Sequence, residues 1–277
     1  MFDGSVAMRR LLLAAMMFGA ASGAHAADMP DFLRGSLGGP VTTNWRGFYV
    51  GAQGGYGSSD ENFNGGGPSN MVAALIANDV IQQMGVAQWN LQLAKDSQRS
   101  SGYGAFTGYN WQWDEVVAGL EMSYLHGAFG GASTATAGPL VGGPLSDNFF
   151  HTVSVNSTSS IAISDMATFR ARAGYAWGCF LPYLFGGFAL GNADISSSVT
   201  VNDAVSSTRF GRLTQLLPLN ADDAVHNHLI YGYTAGIGFD YNLIGGLFLR
   251  GEWEYIRFTS SVDTSINTVR AGLGYKF

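Results

Sequence analysis

The side chains that could do chemistry in this 277-residue chain fall into two sets. The first is charged and recurs at every second position. Arg170 and Arg172 flank one alanine, Arg250, Glu252 and Glu254 follow one another, and Glu121, Asp240 and Arg270 stand singly among apolar residues and glycines. The second is histidine: His126, His151, His226 and His228, with His25 apart near the N-terminus. Paired carboxylates such as Glu252 and Glu254 are the equipment of glycoside hydrolysis, but here they alternate on one extended face toward arginines, and counter-ions are the better account. Imidazoles gathered at one surface could hold haem iron or a divalent metal. Their spacing is loose and no cysteine or carboxylate cluster accompanies them, so no metal site and no resident cofactor is expected. His151 and Ser154 supply a base and a nucleophile by type. No orienting acid goes with them, and the chain does not read as an enzyme.

The charged set makes sense once the elements that carry it are identified. Segments with period-two alternation occur over 45–57, 102–113, 116–125, 168–177, 229–241, 247–258 and 267–277, with an eighth, 181–190, apolar on both parities and of undetermined facing. In the last segment Val269, Ala271, Leu273, Tyr275 and Phe277 alternate with Thr268, Arg270, Gly272, Gly274 and Lys276. One face suits hydrocarbon and the other a polar interior, which is what a closed transmembrane barrel asks of each strand. The fold class expected is therefore all-β: an eight-stranded antiparallel transmembrane barrel. The connections alternate between tight (near Asp114, 178–180 and 242–246) and long (58–101, 126–166 and 191–228) or medium (259–266), so with both termini periplasmic every long loop lies outside the cell. Within the first long connection, Val72, Leu75, Ile76, Val80 and Met84 have helix-like spacing over 71–93. A helix packed on itself outside the barrel is expected there, with a helix that caps or enters the barrel mouth as the alternative.

Composition agrees. Only 12% of residues are charged while aromatics reach 13% and glycines number 39, as befits a barrel whose outer wall faces lipid and whose interior is crowded. The net charge of −6 lacks the basic footprint that nucleic acid requires. Met8, Arg9 and Arg10, an apolar run over 11–21 and Ala24-His25-Ala26 read as a signal peptide over 1–26. A periplasmic segment (27–44) and the barrel (45–277) should follow. Cys179, alone in the chain, is expected to be a buried small residue at a turn. Trp45, Tyr103, Trp111, Trp113, Tyr124, Trp177, Tyr241, Trp253 and Tyr275 are expected to form headgroup-level girdles.

The stretches WRGFYVGAQGGYG (45–57), GYNWQW (108–113), FRARAGYAW (169–177), LPYLFGGFA (181–189), YTAGIGFDY (233–241) and the terminal VRAGLGYKF resemble the opacity-type porin family, specifically the small outer-membrane proteins of alphaproteobacteria. The resemblance implies residence in the bacterial outer membrane among its lipids. It also implies a C-terminal strand, with Leu273, Tyr275 and Phe277, read by the barrel-assembly machinery, and admits haemin or another extracellular ligand at loop histidines. Such a barrel is just wide enough for its own side chains. Arg170, Arg172, Arg250 and Arg270 must then pair with Glu121, Asp240, Glu252 and Glu254, since unpaired buried charge is expensive. The function this implies is structural, contributing to envelope integrity and presenting surface loops. The alternatives are a small porin-like diffusion channel and a haemin- or partner-binding surface protein.

Overall fold

The computed structural model describes residues 43–63, 67–89, 91–259 and 262–277. The expected signal peptide (1–26) and nearly all of the segment 27–44 lie outside the described residues. Nine strands follow in order: β1 (Gly47–Asn62), β2 (Lys95–Trp113), β3 (Val116–Gly142), β4 (Phe150–Tyr175), β5 (Phe180–Ser206), β6 (Thr214–Gln215), β7 (Leu219–Ile244), β8 (Leu247–Phe258) and β9 (Asp263–Lys276). All neighbours are antiparallel, in the order β4-β3-β2-β1-β9-β8-β7-β5, and β4 pairs with β5 to close a ring of eight. The two-residue β6 adds to the upper part of β5 and stands outside the ring. Closure leaves no edge within the ring, so backbone donors and acceptors facing lipid are satisfied by their neighbours.

At one end the strands β2 to β3, β4 to β5 and β7 to β8 are joined by tight turns. Each needs a residue in left-handed backbone conformation, supplied by Asp114 (φ 52°), Gly178 (φ 60°) and Gly245 (φ 60°). Above these turns the outward residues form an apolar band. Phe48, Val50, Leu120, Met122, Phe169, Leu184, Phe188, Ile237, Leu249, Val269 and Leu273 are all exposed. Exposed tyrosines 56, 103, 124 and 231 mark its upper margin, and Trp111, Trp113, Trp177, Tyr241, Tyr275 and Phe277 stand toward the turn end, as amphipathic rings do at both interfaces. Two of the expected girdle residues stand elsewhere. Trp45 shares the inward parity of Tyr49 and is 2% exposed, its ring edge-on to Phe248 inside the barrel. Trp253 faces outward in the middle of the band, opposite Ile237 and Val269. Cys179 is exposed in its turn and not buried. The facing of β5 is settled: Leu181, Tyr183 and Phe185 point in, Leu184 and Phe188 out.

The long connections differ most from expectation. Residues 126–142 and 150–166 are the upper halves of β3 and β4, and 191–206 and 219–228 those of β5 and β7. Four of the eight strands thus rise past the band as a continuous sheet, for β3 to β5 by some sixteen residues, or about 50 Å at the usual rise per residue. Their neighbours β1, β2, β8 and β9 stop much lower. The step is bent where β3, β4 and β5 leave the band. Register shifts fall between His126 and Phe129, Ile163 and Asp165, and Ala193 and Ile195, the sharper local twist expected of bulges.

The expected helix over 71–93 is shorter than the pattern suggests: α1 (Gly67–Leu75), then two single 3-10 turns, Val80–Met84 and Val86–Gln88. Asp79 breaks the run because its side chain accepts a hydrogen bond from the Ile81 amide (3.1 Å), starting a new turn that Gly85 (φ 66°) ends. Nor is the segment packed on itself alone. Val72, Ile76, Ile81 and Val86 bury against Val153 and Val155 of β4 and Val199 and Val201 of β5. It lines the inward face of the tall sheet.

Candidate functional site: the charged lumen

Five strands project the eight charged residues inward. β3 carries Glu121, β4 Arg170 and Arg172, β7 Asp240, β8 Arg250, Glu252 and Glu254, and β9 Arg270. Strand register already matches signs: Glu121 lies opposite Arg170, Asp240 opposite Arg250, and Glu252 opposite Arg270. Where two long side chains would collide, the facing position is glycine, as with Gly119 opposite Arg172 and Gly238 opposite Glu252. An added Cβ at Gly238 would stand 2.8 Å from the Glu252 side chain. Only glycine fits.

The resulting network is continuous. Arg170 hydrogen-bonds Glu121 and both oxygens of Glu252 (2.8 and 2.9 Å), and reaches Glu254 at 3.3 Å. Arg172 joins Asp240 (2.7 Å) and Glu121 (3.2 Å). Arg250 grips Asp240 through two nitrogens (2.8 and 3.0 Å) and Glu121 through a third (2.7 Å), and Arg270 meets Glu254 at 2.5 Å. Hydroxyls occupy remaining acceptor sites: Tyr49 donates to Glu121 (2.6 Å), Tyr183 to Glu252 (2.6 Å) and Thr234 to Glu254 (2.7 Å). Guanidinium planes also stack on rings, Arg172 at 3.7 Å from the Tyr183 centroid, Arg250 at 3.9 Å from Phe106 and Arg170 at 4.1 Å from Phe185. Planar, multidentate arginine suits this arrangement as lysine would not.

All eight residues are between 0 and 4% exposed, so water does not run among them. The layer is closed on both sides. Toward the tight turns, Trp45, Tyr49, Phe106, Leu181, Tyr183, Phe185 and Phe248 make an aromatic floor. On the other side Leu125, Phe129, Ile161, Ile163, Met166, Ile256, Phe258 and Ile266 form an apolar layer. Above that lies the segment with α1. The chemistry available here is mutual neutralisation: Glu252 and Glu254 are both held by arginines and neither faces an open cleft.

The histidines are not brought together. His126 stands at the bend with its Nδ1 2.8 Å from Asp165, which also accepts from Tyr124 (2.5 Å). His226 is exposed, 3.5 Å from Asp194. His228 lies three strands from His126 at the same level, roughly 14 Å at ordinary strand spacing. His151 is no loop residue. It is buried near the top of the tall sheet, Nδ1 2.7 Å from Asp203 and Nε2 2.9 Å from Asp147, and Ser154 is on the opposite face of β4, so the two form no dyad. Burial works against its positive charge, but the two carboxylates outweigh it and hold the imidazole pKa above the ordinary value. No group of three metal-ligating side chains occurs among the described residues. Leu273, Tyr275 and Phe277 lie on the outward face of the closing strand.

One polar feature was missed by sequence reasoning. Glu61, on the inward parity of β1, is 1% exposed and neither oxygen accepts a hydrogen bond. The alternation Ser59, Glu61, Phe63 beyond the first expected strand was the signal.

Residues 11–277 match the family described as outer membrane protein beta-barrel domain. The chain belongs to that family. Among curated relatives of this outer-membrane barrel, the 25 kDa outer-membrane immunogenic protein of Brucella ovis is 26% identical over 176 residues. The match takes in 63% of this chain and 62% of the relative, so the chain spans less than two thirds of that protein's length. The 22 kDa outer membrane protein of Rhizobium leguminosarum bv. viciae is 26% identical over 196 residues, 70% of this chain and 75% of the other. Among solved structures, the attachment invasion locus protein Ail of Yersinia pestis aligns at 12% identity over 84% of this chain and 99% of its own, with a TM-score of 0.34. Neisserial surface protein A aligns at 11% identity over 83% and 97%, with a TM-score of 0.35. The family places the protein in the bacterial outer membrane, and its exposed apolar band is the lipid-facing wall.

Proposed function

We propose that this barrel is a plugged structural protein of the outer membrane, of the opacity-type kind, whose lumen fixes strand register and whose tall sheet is presented outside the cell. The observation that carries this reading is the burial of all eight lumen charges, each 4% exposed or less, between two apolar layers. An ion path would need those side chains to be wetted, and a conducting gate would need carboxylates or guanidiniums that can part from their partners. Here each charge has several. The outer-membrane lipids are its solvent, and the outward Leu273, Tyr275 and Phe277 are the segment offered to the barrel-assembly machinery. The dispersed histidines give haemin no common site.

The test is conductance of the refolded chain in a planar bilayer, after a heat-modifiability gel has established a folded barrel. The expected result is a silent bilayer for the wild type and sporadic openings for the Arg170→Ala, Glu252→Ala double variant. Steady openings of uniform size in the wild type would overturn the plug in favour of a channel.

A further inference from the structure

Glu61 stands above the lipid band, where β1, β2 and β3 meet on the inward side of the wall. Directly across on β2 is Asp96, whose side chain also turns inward. The two carboxylates converge: a Cβ on Gly131 of β3 would lie 2.7 Å from Glu61 Oε2 and closer still to Asp96 Oδ2. Asp96 is partly provided for, accepting from the Ala132 amide (3.0 Å) and the Gln98 side chain (3.3 Å). Glu61 is not, and both of its buried oxygens lack any partner. Burial pushes its pKa up to about 6, helped by the neighbouring charges of Asp96 and Asp60 and only partly offset by the nearby Ser59 hydroxyl. The other facing residues are Thr264 of β9 and the bare Gly131; Lys95 and Arg257 line the same cavity, but among the described residues neither hydrogen-bonds Glu61, and Arg257 pairs with Asp263 instead.

A buried carboxylate without donors, set against a second carboxylate, is costly unless something positive joins them. We propose that Glu61 and Asp96 bind a hard divalent cation of the calcium class at the mouth of the barrel, tying β1 and β2 to β3. The donors are all oxygen and no histidine or cysteine is near, which selects against softer transition metals. Irregular placement favours calcium over the strictly octahedral magnesium. With two carboxylates the remaining ligands are water and backbone carbonyls, and affinity should be that of extracellular calcium modules, Kd about 10⁻⁴ to 10⁻³ M.

The experiment uses the full chain refolded in detergent micelles at pH 7.5, titrated calorimetrically with calcium chloride and melted with calcium or with EDTA. The expected result is one calcium site and a raised melting temperature in the wild type. Glu61→Gln and Asp96→Asn should each weaken calcium binding at least tenfold. In EDTA, Glu61→Gln should melt no lower than the wild type, since it removes a like-charge contact, so loss of binding cannot be laid to misfolding. Substituting the exposed Asp222 and Asp223 by asparagine should change nothing. Two results would overturn the proposal: calcium binding that survives in Glu61→Gln, or a wild type whose stability follows pH alone and ignores calcium, which would make Glu61 a site for a proton only.

Discussion

Inside the lipid band and above it, the same strands meet the problem of inward polar groups differently. Within the band, four carboxylates and four guanidiniums interlock with multiple bonds each, none more than 4% exposed. In the tall sheet most cross-strand polar contacts are neutral and single: Ser159 with Ser197 (3.0 Å), Thr134 with Thr158 (3.2 Å), Thr136 to Asn156 (2.9 Å) and Thr200 to Asn220 (2.9 Å), with His151 between Asp147 and Asp203 the charged exception at its top. The contrast follows from surroundings. A narrow lumen ringed by hydrocarbon strengthens ion pairs and makes an unpaired charge untenable. A sheet bathed in water gains little from charge, since exposed pairs contribute about 0 to 1 kcal/mol. Register in the band is therefore written in charges, and above it in hydroxyls and valine stripes.

The most direct way to break this comparison is to remove one partner in each region. Arg170→Ala takes from Glu252 its close guanidinium partner and from Glu121 and Glu254 one of theirs, and should cost about 3–5 kcal/mol, the penalty of an undercompensated buried charge. Ser159→Ala removes one neutral hydrogen bond and should cost about 1 kcal/mol or less. Urea unfolding of both variants in micelles, read by heat modifiability and tryptophan fluorescence, measures the difference. Equal losses would mean that the lumen network does no more for the barrel than a surface hydroxyl pair.

The band was legible in the sequence because lipid on one face and a crowded lumen on the other impose strict alternation. Leu120, Met122 and Tyr124 against Glu121 and Ser123 can be read as out and in without coordinates. The charged lumen was legible for the same reason, since a long charged side chain on the inward parity has nowhere else to go. Above the band the outward face meets water, apolar alternation stops, and a run such as Ser157-Thr158-Ser159-Ser160 reads as loop. The remaining signal was thin but present: Val153 and Val155, Ile161 and Ile163, and Val199 and Val201 keep period two on the inward face. Trp45 was misread because aromatics near strand ends usually belong to girdles, whereas its parity with Tyr49 sends it inside.

A second comparison concerns what fills the wall above the band. Ile76 is fully buried among Val72, Val153, Val155, Val199 and Val201, so Ile76→Ala should cost about 2–4 kcal/mol of local packing. The charged layer below shares no residue with this cluster. The expected outcome is faster proteolytic cleavage within 63–95 of the native protein, with heat modifiability of the barrel unchanged. Loss of the folded barrel itself would show that the α1 segment is part of one cooperative unit with the lumen.

The smallest expected effect is a pH dependence confined to the top of the tall sheet. His151 joins the β3–β4 turn, through Asp147, to β5, through Asp203, and Asp79 of the α1 segment adds negative charge beside Asp203. Burial opposes the imidazolium, yet the two carboxylates keep its pKa raised in the folded protein. A raised folded value means that this contribution is fully present below the unfolded histidine value, about 6.5, and is lost as pH rises through the folded value. Asp203, pushed up chiefly by burial, likewise contributes less as pH rises through its own raised value, so it does not reverse that sign. Hydrogen exchange of the turn amides, corrected for the intrinsic rate, should therefore accelerate as pH rises from about 6.5 through the higher folded value. The lumen below should keep its protection throughout. His151→Gln, which cannot carry the charge, should flatten the profile; a variant with the wild-type pH dependence would assign the effect to some other group.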